Sequence, residues 1–163
     1  MINSYLSNET DIDDGAIHLL FSANRWEKKE LMLQKLNSGV TLVVDRYAFS
    51  GVAFTAAKGR PGLDIEWCMA PDKGLVAPDA VFFLELSIEA AGQRGGFGEE
   101  RYERPAFQEA VLQEFLKLKG PTWEVIDASG TIEEVHGVLK GKADGIIQAC
   151  NSSKKPIQLL WDT

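Results

Sequence analysis

The sequence predicts an α/β protein built on a doubly wound parallel sheet, and three observations carry that reading. Three short runs, at 40–44, 80–86 and 123–126, are nearly continuous in apolar residues rather than alternating, as in strands buried on both faces. Each run is followed by residues that favour helix. The chain has 163 residues, 45% hydrophobic and 25% charged, enough for one domain with its own core.

Taken in order, the chain opens with an amphipathic stretch in which the acidic run 11–14 precedes Ile17, Leu20, Phe21 and Asn24 at helical spacing. The first apolar run, Val40 to Val44, is read as a strand. Segments 50–57 and 63–69 are read as short helices. After the second strand, Ser87 can cap a helix running to Arg94, with Glu89 in its first turn. Pro105 opens a longer helix to about Lys119, since a first-turn proline loses no hydrogen bond. After the third strand, Ser129 or Thr131 caps a helix carrying Ile132, Val135, Val138 and Leu139 on one face. Three strands make a narrow sheet for this class, so a strand or two of the usual sheet is expected to be missing from this chain.

A net charge of −7 argues against nucleic acid, whose phosphates need clustered Lys and Arg. A small anionic substrate needs only a few basic residues placed locally. Cys68 and Cys150 form neither a disulfide framework nor, with other cysteines, a zinc site. The first six residues lack a basic start and a long apolar run, so no secretory signal is expected, and no stretch approaches membrane-spanning length. The expected location is the cytosol, with nucleus and mitochondrion as alternatives.

Three constellations could carry chemistry. The 40–44 run ends in Asp45-Arg46, where open α/β sheets bind ligands. The Arg46 guanidinium suits a phosphate, and Asp45 could orient it or hold magnesium through water; a surface ion pair is the plain alternative. On the opening helix, Phe21 and Arg25 are four residues apart and share a face. An aromatic plate beside a fork of donors can stack on a base and read its carbonyl edge, although a ring at this spacing also fits simple core packing. The glycine-rich segment 94–104 can hinge as a lid or serve as a plain surface loop. No G-x-x-x-x-G-K-[ST] phosphate cradle occurs: Gly141-Lys142 is followed by Ala143 and preceded, at position 136, by histidine. His18 and His136 sit in helical patterns with no catalytic arrangement around them.

Residues 19–27, 43–55 (Val-Val-Asp-Arg-Tyr-Ala-Phe-Ser-Gly-Val-Ala-Phe-Thr), 94–103 and 127–129 together resemble eukaryotic thymidylate kinases, in order and in spacing. The likeness covers essentially all of 1–163. It implies the three-layer doubly wound fold of P-loop nucleoside monophosphate kinases, N-terminally shortened so that the first two strands and the P-loop are absent; residues 2–6 resemble the interior of the family's second helix. It also implies transfer of the ATP γ-phosphoryl group to dTMP, giving dTDP and ADP with Mg2+. By position, Phe21 corresponds to the ring stacking on thymine, Arg25 to the base-edge reader and Arg46 to the phosphate-gripping arginine. Asp45 stands beside Arg46 as the acidic residue near the phosphates and magnesium. Ser50, Gly51 and Phe54 correspond to the pocket lining, and Tyr102 and Gln108 to lid-side residues near the nucleoside. Arg94, with Ser129, Thr131 and Ile132, corresponds to contacts on the ATP adenine.

The family's first strand is central in its sheet, so the 40–44 and 80–86 strands are expected to lack their shared neighbour and the chain to have reduced stability. The leading expectation is a shortened dTMP kinase whose own turnover is in question. The alternatives are a non-catalytic dTMP-binding or dimerising form and a kinase for another monophosphate. A homodimer through the 19–26 helix is implied by the resemblance.

Overall fold

The computed structural model describes residues 2–87, 90, 102, 105–153 and 155–162. They form α1 (Ile2–Leu6), α2 (Asp14–Asn37), α3 (Ala48–Ala56), α4 (Ile65–Met69) with a 3-10 turn at Ala70–Asp72, β1 (Val81–Glu85), α5 (Pro105–Leu118), β2 (Trp123–Asp127) and α6 (Ile132–Ser153).

Helix ends follow local chemistry. The Asp13 carboxylate caps α2 by accepting from the N–H groups of Gly15 and Ala16 at 2.9 and 3.1 Å. The other end closes as Gly39, at φ 82°, donates its N–H to Leu36 while the Val40 N–H reaches back to Lys35. Proline opens α5 as expected. At α6, Thr131 caps and Glu134 reciprocates: the Glu134 N–H donates to Thr131 Oγ1 at 3.2 Å, and the Thr131 N–H donates to Glu134 Oε2 at 2.8 Å. Ser87 Oγ accepts from the Ala90 N–H at 3.2 Å, which fits its expected capping role; the rest of that helix, through Arg94, and all of the 94–104 segment except Tyr102 lie outside the described residues.

The two strands run parallel, in the register Val81 with Trp123 through Glu85 with Asp127, and α5 lies in the crossover between them. Parallel pairing and α/β layering agree with the sequence reading. The first strand does not: 40–44 is unpaired, with Val43 96% exposed. A strand exists only where a neighbouring strand takes its N–H and C=O groups, and among the described residues no strand pairs with 40–44; the Val40 N–H serves the end of α2 instead. Nor are β1 and β2 buried on both faces, since Leu84 and Val125 are exposed. The proposed apolar face of α6 is likewise only half covered. Val135 and Leu139 are partly buried, whereas Val138 is exposed and Ile132 is 84% exposed.

Packing centres on α3, which touches α2, α4 and α5. Its Ala48, Val52, Ala53 and Thr55 are buried, and full burial of a valine alone contributes roughly 1.5–3 kcal/mol. Ala48 joins Leu75 and Leu160 in a cluster flanked by Tyr47, Phe49 and Trp161. The C-terminal segment reaches that cluster through an antiparallel bridge between Val76 and Leu159, and the Leu160 N–H donates to the Leu75 carbonyl at 2.7 Å. A chain of rings continues outward: Phe49 lies 5.1 Å and Phe83 5.9 Å from Trp123, and Phe83 lies 5.3 Å from Phe115.

Candidate functional site

α3 gathers two of the basic residues singled out in the sequence, Arg25 and Arg46. Phe54 lies on the same side of α3 as Ser50 and Gly51, because residues three and four apart lie close on a helix. Arg46 precedes this helix with its backbone in the left-handed region, φ 58°, a conformation costly for a side chain with a Cβ. Its Nε approaches Ser50 Oγ at 3.4 Å, and its guanidinium carbon sits 4.6 Å from the centre of the Phe54 ring. That contact leaves the exposed charge tethered over an aromatic face.

Arg25 arrives from α2 on the neighbouring residue. A Cβ built on Gly51 would stand 3.0 Å from Nη2 and 3.2 Å from Nη1, so glycine provides the room the guanidinium occupies. Arg25 and Arg46 therefore meet successive residues of one helix. Phe21, one turn before Arg25, is half-buried and meets no other aromatic ring among the described residues. Asp45 is exposed and does not pair with Arg46, so the orienting role considered for it is absent; Ser50 and Phe54 take that part. Among the described residues no group of three or more His, Cys, Asp or Glu could hold a metal ion.

The lid-side residues also reach α3. Tyr102 packs against Phe54 with ring centres 5.4 Å apart and stacks on Phe107 at 5.5 Å. The Gln108 side-chain amide donates to the Tyr102 carbonyl at 2.8 Å, which fixes the two relative to each other. Tyr102 Oη lies 2.7 Å from Tyr5 Oη, and Lys58 Nζ donates to Tyr5 Oη at 3.2 Å and to Asp14 at 2.6 Å. Burial alone would raise the Asp14 pKa, but hydrogen bonds and charges from Lys58 and Arg60 outweigh it and hold the carboxylate below its usual range.

Ser129, Thr131 and Ile132 stand elsewhere, at the end of β2 and the start of α6. The Ser129 N–H donates to Asp127 at 2.8 Å, and the Ser129 hydroxyl and N–H hold the Asp127 pKa below its ordinary value. No hydrogen bond or ring contact ties them to Arg25 or Arg46 among the described residues. Arg94 lies outside those residues.

Nothing in the sequence marks out Asp72, and the surroundings of Tyr47, His18 and Cys68 emerge only in the fold. Asp72 is 0% exposed and accepts from Arg25 Nε at 3.1 Å, Arg25 Nη2 at 2.5 Å and Ser22 Oγ at 2.6 Å. The Tyr47 hydroxyl is buried with no hydrogen-bond partner among the described residues, and burial together with the Asp72 charge pushes its pKa up to about 12. His18 is buried between Thr55 Oγ1 and the Cys68 carbonyl, each 2.9 Å away. A carbonyl only accepts, so Nε2 carries the proton and Nδ1 of the neutral ring takes the Thr55 hydroxyl hydrogen. Burial pushes the Cys68 thiol up to about 11, which keeps it protonated and unreactive.

The sequence profile of thymidylate kinases matches residues 1–138. The chain belongs to the thymidylate kinase family. It is 51% identical to the thymidylate kinase of Arabidopsis thaliana over 163 residues, covering 100% of this chain and 60% of that one. Against the thymidylate kinases of Danio rerio and Homo sapiens it is 52% and 49% identical, covering 99% of this chain and 76% of each relative. A solved thymidylate kinase from Candida albicans superposes with a TM-score of 0.80 at 36% identity, over 97% of this chain and 78% of that one. The fold is therefore that of the P-loop nucleoside monophosphate kinases. No helix among the described residues is long and apolar enough to cross a membrane.

Proposed function

We propose that the chain carries the monophosphate side of a dTMP kinase site, formed where α2, α3 and the lid-side residues meet. The observation that carries this reading is the approach of two arginines to successive residues, Gly51 and Ser50, of one helix. Arg46 presents a two-pronged donor to the dTMP phosphate. Phe21 stacks on thymine and Arg25 reads its carbonyl edge. Ser50, Gly51 and Phe54 line the sugar side, and Tyr102 with Gln108 closes over the nucleoside. Ser129, Thr131, Ile132 and Arg94 flank the adenine of ATP, the donor of the γ-phosphoryl group in forming dTDP.

Asp45, exposed at the end of the 40–44 segment, would be the carboxylate to hold a magnesium ion through water, with nucleotide phosphates supplying other ligands. The chemistry it would supply when bound is neutralisation of charge on the transferring phosphoryl group. The chain's own residues position the acceptor: they fix the base, grip the phosphate and exclude water. A homodimer through α2 is consistent with the exposed Leu19 and Trp26 on that helix. Cytosol, nucleus and mitochondrion are all compatible settings.

A second reading, a non-catalytic dTMP-binding or dimerising form, is favoured by the lack of any G-x-x-x-x-G-K-[ST] in the sequence. Calorimetry with dTMP and with ATP, paired with an ADP-release assay, separates the two. Binding of both nucleotides with turnover supports the kinase; binding of dTMP alone supports the second reading. A chain that binds no dTMP overturns the kinase and the dTMP-binding form alike, and one that is also monomeric overturns the dimerising form.

A further inference from the structure

Asp72 arises from a short turn with no nucleotide-facing role in the proposal above, yet it is the most completely enclosed charged group described. Its carboxylate is 0% exposed, and the Arg25 side chain it holds is 11% exposed. Removing both charges from water is costly and is offset only by close geometry and further hydrogen bonds. Both are present. Arg25 offers Nε and Nη2 side-on, while Ser22, one helical turn earlier, adds a third bond to Oδ1.

The turn that carries Asp72 is itself pinned. Trp26 Nε1 donates to the Pro71 carbonyl at 2.6 Å, and the Ser22 hydroxyl lies 3.1 Å from the same oxygen. Gly51 closes the remaining side of the guanidinium. With one edge held by Asp72, the fork is left with Nη1, from which no described residue accepts, and one Nη2 hydrogen. An arginine side chain free to sample rotamers would present donors to any acceptor within reach; one held on two sides presents them in a single direction.

We infer that Asp72, supported by Ser22, is a positioning residue that aims the Arg25 guanidinium and so sets discrimination between pyrimidine bases that accept a hydrogen bond at position 4 and those that donate one. The inference rests on the proposed dTMP site.

The test is the ratio of dTMP to dCMP affinity, measured by calorimetry on the whole chain. These nucleotides differ in offering an acceptor or a donor at that position. Asp72→Asn keeps the shape and removes the charge, so the ratio falls by about ten-fold or more, the usual worth of a charge-assisted bond. A general loss of structure would weaken both nucleotides alike and leave the ratio standing. In an Arg25→Ala background, Asp72→Asn has no further effect on the ratio, because it acts only through that arginine. Should Asp72→Asn not fold, Ser22→Ala carries the test; it keeps the ion pair, loses one of three bonds and lowers the ratio by about three-fold. An unchanged ratio in the folded variants overturns the inference. Wild-type protein that binds dTMP and dCMP equally, or neither, instead overturns the proposed site.

Discussion

The guanidinium carbon of Arg46 lies 4.6 Å from the centre of the Phe54 ring, reached from a left-handed backbone turn just before α3. The ring limits where the charge can go, and the turn sets its direction before any side-chain rotation. Lysine at this position keeps the charge but loses the flat contact and the two-pronged donor geometry. Arg46→Lys is therefore expected to weaken dTMP binding by about ten-fold and Arg46→Ala by at least as much. Calorimetry reads both; unchanged affinity in the alanine variant removes Arg46 from the phosphate site.

Gly51 gives a prediction that separates binding from folding. Alanine within a helix is favoured over glycine by roughly 0.5–1 kcal/mol, but its Cβ would press on a guanidinium that Asp72 prevents from yielding. Gly51→Ala is expected to leave the urea midpoint nearly unchanged while dTMP affinity drops by about ten-fold, as a displaced contact would cause. Equal losses in stability and affinity would show that the close approach matters to folding alone.

His18 makes stability depend on pH. Burial lowers its pKa below the ordinary 6.5, only partly countered by the Cys68 carbonyl and the Asp72 charge. The unfolded chain thus takes up a proton first as pH falls. Stability is highest above about pH 6.5 and declines below it until the folded ring also protonates. His18→Gln should flatten this decline in urea titrations between about pH 7.5 and 5.5. A wild-type midpoint that does not move over that range would contradict the neutral assignment.

Tyr47 bears a buried hydroxyl with no hydrogen-bond partner among the described residues. Enclosing such a group costs about 1–3 kcal/mol relative to leaving it hydrated. Tyr47→Phe should therefore raise unfolding free energy by about 1 kcal/mol in chemical denaturation. A fall of similar size would reveal a favourable interaction made by that oxygen.

Much of the architecture was legible because it rests on neighbours in sequence. Pro105 opens α5, Thr131 caps α6, and Arg46, Ser50, Gly51 and Phe54 lie within nine residues that form a turn and one helix. The reading of 40–44 as a strand failed for a related reason: an apolar run reports local composition, whereas a strand requires hydrogen bonds from a remote segment. Asp72 was invisible for the same cause. It follows Arg25 by 47 positions, and nothing local distinguishes it from the many surface carboxylates. The Lys58 contacts with Tyr5 and Asp14 likewise join segments 53 and 44 positions apart.

The indole of Trp26 donates to the carbonyl of the residue just before Asp72. An emission band that shifts with polarity is thus fastened to the turn that bears the buried carboxylate. Loosening of that turn would register as a change in Trp26 fluorescence, so the molecule carries its own optical gauge of whether Arg25 is properly anchored.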